Sequence, residues 1–243
     1  MTGGSAPLSG QTVVVLGGSG GIGLETARQA STSGADVLLV GRDQDRLARA
    51  AANLDAAGVA AFDVTDPESL QGFFAERAEP VDHVMVTVGG NYYTRLADLD
   101  LEQARRLVDE HLWLPLHLAR AVTGKIRPSG TLLFMGGTGG RRPGPGQLLS
   151  GALTAAMPAL VANLALELAP VRVNLIAAGF VDTDLSARLL GDELDVRRAE
   201  LRAHLPIRRV VGPGDVAALA VHLMTNTALT GATYDVDGGQ QLT

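Results

Sequence analysis

The chain has 243 residues, 46% of them hydrophobic, a formal charge of −6 and no cysteine. That length builds one large core, while the acidic balance lacks the basic field that nucleic acid or an anionic membrane surface requires. The missing thiols exclude disulfides and cysteine metal sites. The five histidines, at 83, 111, 117, 204 and 222, show no metal-ligand spacing, so no metal is expected. No stretch approaches the roughly 18 apolar residues of a membrane span, and the first twelve residues contain no apolar run. The simplest expectation is a cytoplasmic protein with a small-molecule substrate and neither nucleic acid nor membrane as a partner.

In chain order, residues 1–10 read as a loose tail, followed by a strand at 12–16, TVVVL. A helix is predicted at 22–33, a strand at 35–40, a helix at 44–57, a weak strand at 59–62 and a helix at 67–78. The strand HVMVTV at 83–88 leads to a long helix at 99–122, then a strand at 130–135, a helix at 148–169 and a strand at 171–177. A segment at 182–212, rich in Leu, Arg and acids, reads as a helical insertion ahead of a helix at 214–225 and a last strand at 232–236. Most strand runs lack polar alternation, as strands buried on both faces do, and regular strand–helix alternation implies parallel βαβ units. The expected fold is α/β: one domain over 1–243, a Rossmann-like, doubly wound, seven-stranded parallel sheet with helices on both faces.

Directly after the first strand comes GGSGGIG, with Gly17, Gly21 and Gly23 at G-x-x-x-G-x-G spacing and Ser19, Gly20 and Ile22 between them. Glycines at a strand-to-helix turn permit a tight bend and let backbone N–H groups approach a pyrophosphate. The second strand ends VLLVGRD, so Gly41 and Arg42 stand where a binder of unphosphorylated NAD usually places a carboxylate. A guanidinium there forks onto a 2′-phosphate that an acid would repel. The cofactor expected is therefore NADP(H), the alternative being that Arg42 is only a solvated helix-start residue.

These motifs, with FDVTD at 62–66, GTLLFMGGTGG at 130–140, VRVNLIAAGFVDT at 171–183 and TGATYDVDGG at 230–239, resemble the short-chain dehydrogenase/reductase family from about Leu8 to Leu242. The resemblance implies an oxidoreductase that moves hydride between a nicotinamide and a carbonyl or alcohol. It places Asp63 and Val64 beside the adenine, Val88 and Gly89 at the cofactor ribose, and Gly179, Val181 and Thr183 by the carboxamide. It also implies a homodimer or homotetramer, with the helices at 99–122 and 148–169 forming the dimer seam. Without the resemblance, Asp63 reads as a turn cap and Thr183 as the cap of a helix beginning near Asp184.

The family's catalytic Asn, Ser, Tyr and Lys positions fall, residue by residue, on His111, Gly137, Ser150 and Thr154. Its N-N-A-G after the fourth strand reads Val86, Thr87, Val88, Gly89, its first turn threonine is Leu16, and the proline of its P-G is Ala178. A phenol titrates near 10 and a neighbouring ammonium lowers it, whereas a serine hydroxyl has no ring to carry the anion. Ser150 can hydrogen-bond but is not a proton reservoir, and the sole lysine, Lys125, lies 14 residues past His111, roughly 20 Å along the helix. The remaining candidates are His111, whose imidazole type titrates near neutral pH, the loop tyrosines Tyr92 and Tyr93, and Thr138 as a relocated hydroxyl. Each also reads as an ordinary packed or loop residue, and Arg141 and Arg142 read as solvated loop charges or as attractors of an acidic ligand. Two functions follow: an NADP(H)-dependent oxidoreductase with an atypical active site, or a catalytically silent NADP(H)-binding sensor or scaffold.

Overall fold

A computed structural model describes residues 6–54 and 56–243. Seven parallel strands form one sheet in the order β3-β2-β1-β4-β5-β6-β7: β1 Thr12–Leu16, β2 Asp36–Gly41, β3 Gly58–Ala61, β4 Val81–Val86, β5 Ile126–Gly137, β6 Arg172–Ala178 and β7 Thr233–Val236. The strand order reverses between β1 and β4, which opens a crevice above the carboxyl ends of the strands. One face is covered by α1 Gly21–Thr32, α2 Gln44–Leu54 and α9 Pro213–Thr225, the other by α3 Pro67–Ala75, α5 Leu114–Ala121 and α6 Leu148–Glu167. Side chains alternate along each strand, so Val13, Val15, Met85 and Ile176 enter one layer and Val14, Val84, Leu132 and Leu175 the other. This is the expected fold.

Three expectations change in detail. The described part of the head, 6–10, is a turn rather than a loose tail, because Leu8 is fully buried and its N–H donates to the Ser33 carbonyl at 2.9 Å. The rest of the predicted tail, 1–5, lies outside the described residues. The helix expected at 99–122 is three pieces: α4 Leu101–Val108, a π turn Asp109–Trp113, and α5. Asp100 starts it by accepting from the Glu102 and Gln103 N–H groups. Pro115 has no N–H for the His111 carbonyl, and the Leu114 N–H reaches back five residues to Asp109. Finally, α6 is long and apolar enough to cross a membrane by length and composition, with mean hydropathy 1.6. Its face carrying Leu153, Met157, Val161, Leu164 and Ala165 is instead buried against the sheet.

The 182–212 segment holds two helices, α7 Asp184–Leu190 and α8 Leu194–His204, closed by a bridge between Val181 and Val211. Arg198 fastens α8 to the sheet edge by a bidentate pair with Asp182, at 2.8 and 2.9 Å.

Candidate functional site

At the end of β1 the backbone turns without side chains because none would fit. Gly17 has φ +94°, and a Cβ on it would stand 2.5 Å from Thr87 Oγ1. On Gly23 a Cβ would stand 2.3 Å from the Gly17 carbonyl oxygen, far inside contact distance. Thr87 closes the turn from the neighbouring strand, its hydroxyl donating to the Leu16 and Gly17 carbonyls at 3.1 and 3.3 Å. Gly20 precedes α1 with no side-chain cap, so the first N–H groups of that helix remain available to an anion.

The adjacent tip of β2 carries positive charge. Arg42 is exposed and makes no hydrogen bond or ion pair among the described residues. Arg46, one helical turn on, reaches across so that its Nη2 lies 3.0 Å from where a Cβ on Gly20 would stand. The Ser19 hydroxyl lies 3.6 Å from the same construction on Gly41. After β3, Asp63 accepts from the Thr65 N–H and hydroxyl at 3.0 and 2.7 Å, while Val64 is buried in the core.

Past β4, Gly89 has φ +142°, and a Cβ on it would sit 3.3 Å from His111 Cε1. His111 thus lies over this loop, its Nδ1–H donating to the Leu107 carbonyl at 3.1 Å, which leaves Nε2 as the free ring nitrogen. Its neighbour Glu110 accepts from the Gly90 N–H at 2.8 Å. α6 packs against this π turn and brings Ser150 and Thr154 to the same crevice.

Both hydroxyls are engaged internally: Ser150 donates to the Tyr92 carbonyl at 3.1 Å, and Thr154 to the Ser150 and Gly151 carbonyls at 2.8 and 3.1 Å. The Thr154 methyl lies 3.3 Å from a Cβ position on Gly137, at the end of β5. Thr138 is buried, and its N–H donates to the Ala178 carbonyl. Of the loop tyrosines, Tyr92 accepts the Asp100 N–H at 2.9 Å on its phenol oxygen, which places that oxygen at the head of α4, and Tyr93 is 61% exposed.

The strand-six end completes the ring. Thr183 accepts from the Ser186 N–H and heads α7 in a capping box. Its methyl is also 3.7 Å from a Cβ position on Gly21, so it joins the glycine turn as well. Val181 is held by its bridge to Val211, and Gly179 lies so close to the C-terminal turn that a Cβ would come within 2.6 Å of Gln240 Oε1. That same oxygen accepts the Phe180 N–H at 2.9 Å. Neither Arg141 nor Arg142 is a free rim charge: Arg141 forms a bidentate pair with Asp235, and Arg142 donates to the Gln240 and Thr243 carbonyls. Lys125 is spent on the Ala75 and Arg77 carbonyls. Among the described residues no group of acids and histidines could hold a metal.

Beside Ser150 a cleft of about 540 Å³ opens between the 94–96 loop, the Gly/Pro-rich 139–148 loop and the start of α6. A family model described as enoyl-(acyl carrier protein) reductase matches residues 17–241. The chain belongs to the short-chain dehydrogenase/reductase family. Galactitol 2-dehydrogenase (L-tagatose-forming) of Cereibacter sphaeroides is 34% identical over 96% of this chain and 95% of its own. The short-chain dehydrogenase/reductase ATR9 of Stachybotrys chlorohalonatus is 29% identical over 96% and 97%. A small-chain dehydrogenase solved in complex with NADPH superposes with a TM-score of 0.82 at 27% identity, covering 96% of this chain and 99% of that one.

Three site residues escape a reading of the short-chain dehydrogenase/reductase motifs: Arg46, Glu110 and Gln240. Thr87 falls on the family's N-N-A-G position, but its closing of the glycine turn does not follow from that. Arg46 lies four residues beyond Arg42 on a helix, and that spacing was a usable signal. Glu110 and Gln240 act through contacts 20 and 60 residues away, which no local pattern encodes.

Proposed function

We propose that the protein is an NADP(H)-binding oxidoreductase whose chemical shell is atypical, with His111, Gly137, Ser150 and Thr154 standing where the family keeps its proton machinery. The observation that carries the cofactor reading is Arg42, unpaired among the described residues just past the tip of β2, where the Ser19 hydroxyl approaches Gly41, with Arg46 reaching over the uncapped start of α1. The N–H groups at Gly20–Ile22 would hold the pyrophosphate, Arg42 the 2′-phosphate, Asp63 and Val64 the adenine, Val88 and Gly89 the ribose, and Gly179, Val181 and Thr183 the carboxamide. The bound nicotinamide supplies hydride. The chain's own groups orient the acceptor: Ser150 and Thr154 keep only lone pairs for the cleft, and His111 offers Nε2.

A fluorescence titration with NADPH and NADH tests this. Arg42→Ala is expected to weaken NADPH by about 10- to 100-fold, the worth of a lost charge-assisted contact, and to leave NADH unchanged. Equal binding of both cofactors, unaffected by the substitution, overturns the NADP assignment. The internal donation of both hydroxyl protons also supports the second reading, a silent NADP(H) sensor or scaffold. Stereospecific deuteride transfer from labelled NADPH decides against it. We further propose self-association through α6 and the α4–α5 face, where Leu148, Leu166, Leu101 and Trp113 are exposed. Sedimentation would report a dimer or tetramer.

A further inference from the structure

The cleft at the head of α6 carries a single charged residue on its walls, Arg95, and a single side-chain amide, Gln147. Leu96, Pro143, Pro145, Ala152 and Ala155 supply most of the remaining side chains, with glycines between them, and among the described residues no acid lines it. At about 540 Å³ it falls within the roughly 300–1,000 Å³ of small-molecule sites.

The walls are fixed to one another by backbone. The Thr94 N–H donates to the Gly146 carbonyl at 3.0 Å, which joins the two loops, and Gly146 makes its turn at φ +83°. Gly140 lies flat on α6: a Cβ on it would stand 2.6 Å from the Ala155 nitrogen and 2.7 Å from the Gly151 carbonyl oxygen. Pro143 and Pro145 hold φ fixed and have no N–H to leave unsatisfied. A site pinned in this way loses little freedom when a ligand enters.

Arg95 is anchored only at its backbone, where its carbonyl accepts the Asp98 N–H at 3.0 Å as the turn Leu96–Asp98 begins. Its exposed guanidinium makes no hydrogen bond or ion pair among the described residues. Arg141, by contrast, is matched by Asp235, and Arg142 is held by carbonyls of the C-terminal turn. The Gln147 amide is equally uncommitted among the described residues: its nitrogen lies 3.4 Å from a Cβ position on Gly144 and its oxygen 3.8 Å from one on Gly139. The cleft thus offers hydrogen-bond donors and hydrocarbon, with one positive charge and no counter-charge. A guanidinium forks onto the two oxygens of a carboxylate, and one cation balances one anion. A dianion such as a phosphate monoester would stay half-neutralised on a chain of formal charge −6.

We propose that this cleft binds a small monocarboxylic acid with an apolar body. The carboxylate sits on Arg95, the hydrocarbon lies against Pro143, Pro145 and Ala152, and the Gln147 amide is the second donor. The site stands on these residues alone; that such an acid is also the compound oxidised or reduced rests on the NADP(H) oxidoreductase reading above. Because Arg95 is exposed, water screens the pair, so the charge adds selectivity more than affinity.

Isothermal titration calorimetry of the cofactor-free protein with 4-cyclohexylbutyrate, with its neutral amide 4-cyclohexylbutanamide and with acetate tests this. The acid is expected to bind about three- to tenfold tighter than the amide at low salt, and acetate too weakly to measure. Raising the salt from about 50 to 500 mM should erase that preference. Arg95→Gln should bring the acid down to the affinity of the amide, and Arg95→Lys should restore part of the difference. Gln147→Glu should weaken the acid about threefold and leave the amide unchanged. Ala152→Leu, at an exposed helical position that leucine suits, should block both ligands by filling the cleft. Equal binding of acid and amide, an acid affinity indifferent to Arg95→Gln, or acetate bound as well as the cyclohexyl acid overturns the proposal. So does an Ala152→Leu variant that sediments as a smaller species while the unaltered protein takes up no acid, since a second copy then covers the cleft. A failed NADPH titration strikes only the role of the acid as substrate, because the calorimetry needs no cofactor.

Discussion

A methyl group added at Gly23 would stand 2.3 Å from a backbone carbonyl, whereas one added at Gly137 would stand 3.3 Å from the tip of the Thr154 side chain. Gly23 lies in the first turn of α1, just past β1, and Gly137 ends β5. At the first, the shape is backbone against backbone and leaves no substitute for glycine. At the second, the neighbour is a methyl that can move, and the nearby hydroxyls have turned inward to their own helix. The nucleotide end is therefore held by backbone packing, while the chemical end has room for a different side chain at Gly137 without disturbing the fold.

The comparison can be broken most directly at Gly23. Gly23→Ala is expected to cost about 3 kcal/mol or more in thermal or urea unfolding, or else to abolish NADPH binding by more than about 100-fold, because backbone must shift. A tolerated alanine would remove the distinction. β4, which joins the two ends, supplies the next effect. His83 is buried with its Nε2–H on Gln11 Oε1 at 2.7 Å, and burial, helped by the Arg172 charge, pushes its pKa down to about 4 from 6.5. Between those values the unfolded chain takes up a proton that the native state refuses. Stability should thus fall by roughly 3 kcal/mol as pH drops from 6.5 toward 4, with no further loss from this group below it. His83→Gln should flatten that part of the pH profile in urea melts, and an unchanged slope would refute the assignment.

Smaller effects sharpen the contrast. Thr183→Ala removes the cap of α7 and a methyl contact of the glycine turn, so about 1 kcal/mol of stability should go, together with some NADPH affinity. Gly137→Ala should change stability by no more than about 0.5 kcal/mol by differential scanning calorimetry, and should leave NADPH binding untouched.

How far the sequence could be read follows the range of the interactions involved. β1 is observed at 12–16 as read, and β2, β3 and β6 fall within a residue or two, because a run of Val, Leu and Ile between turn residues fixes a buried strand locally. The glycine turn was equally legible, since tight turns need glycine and say so. The π turn at 109–113 was not: its periodicity continues the helix, and only Pro115 hints that one carbonyl is left over. Arg141 and Arg142 looked like rim charges until their partners, about 94 to 101 residues away, were visible. Leu8 looked like tail because a single leucine among glycines and serines carries no period, yet it fills a slot against Ser33. The inward turn of Ser150 and Thr154 is a rotamer choice that composition cannot encode.

The Gln240 side chain has a further consequence. It holds the Phe180 N–H while Arg142 holds the same turn from the other side, and Gly238 and Gly239 rest against Ile207 and Pro206. Three segments that frame the crevice thus share one clasp, so whatever loosens the tail also loosens the loops. An affinity tag placed after Thr243 would be a perturbation of the ligand site, and constants measured on such a fusion would differ from those of a protein tagged ahead of β1.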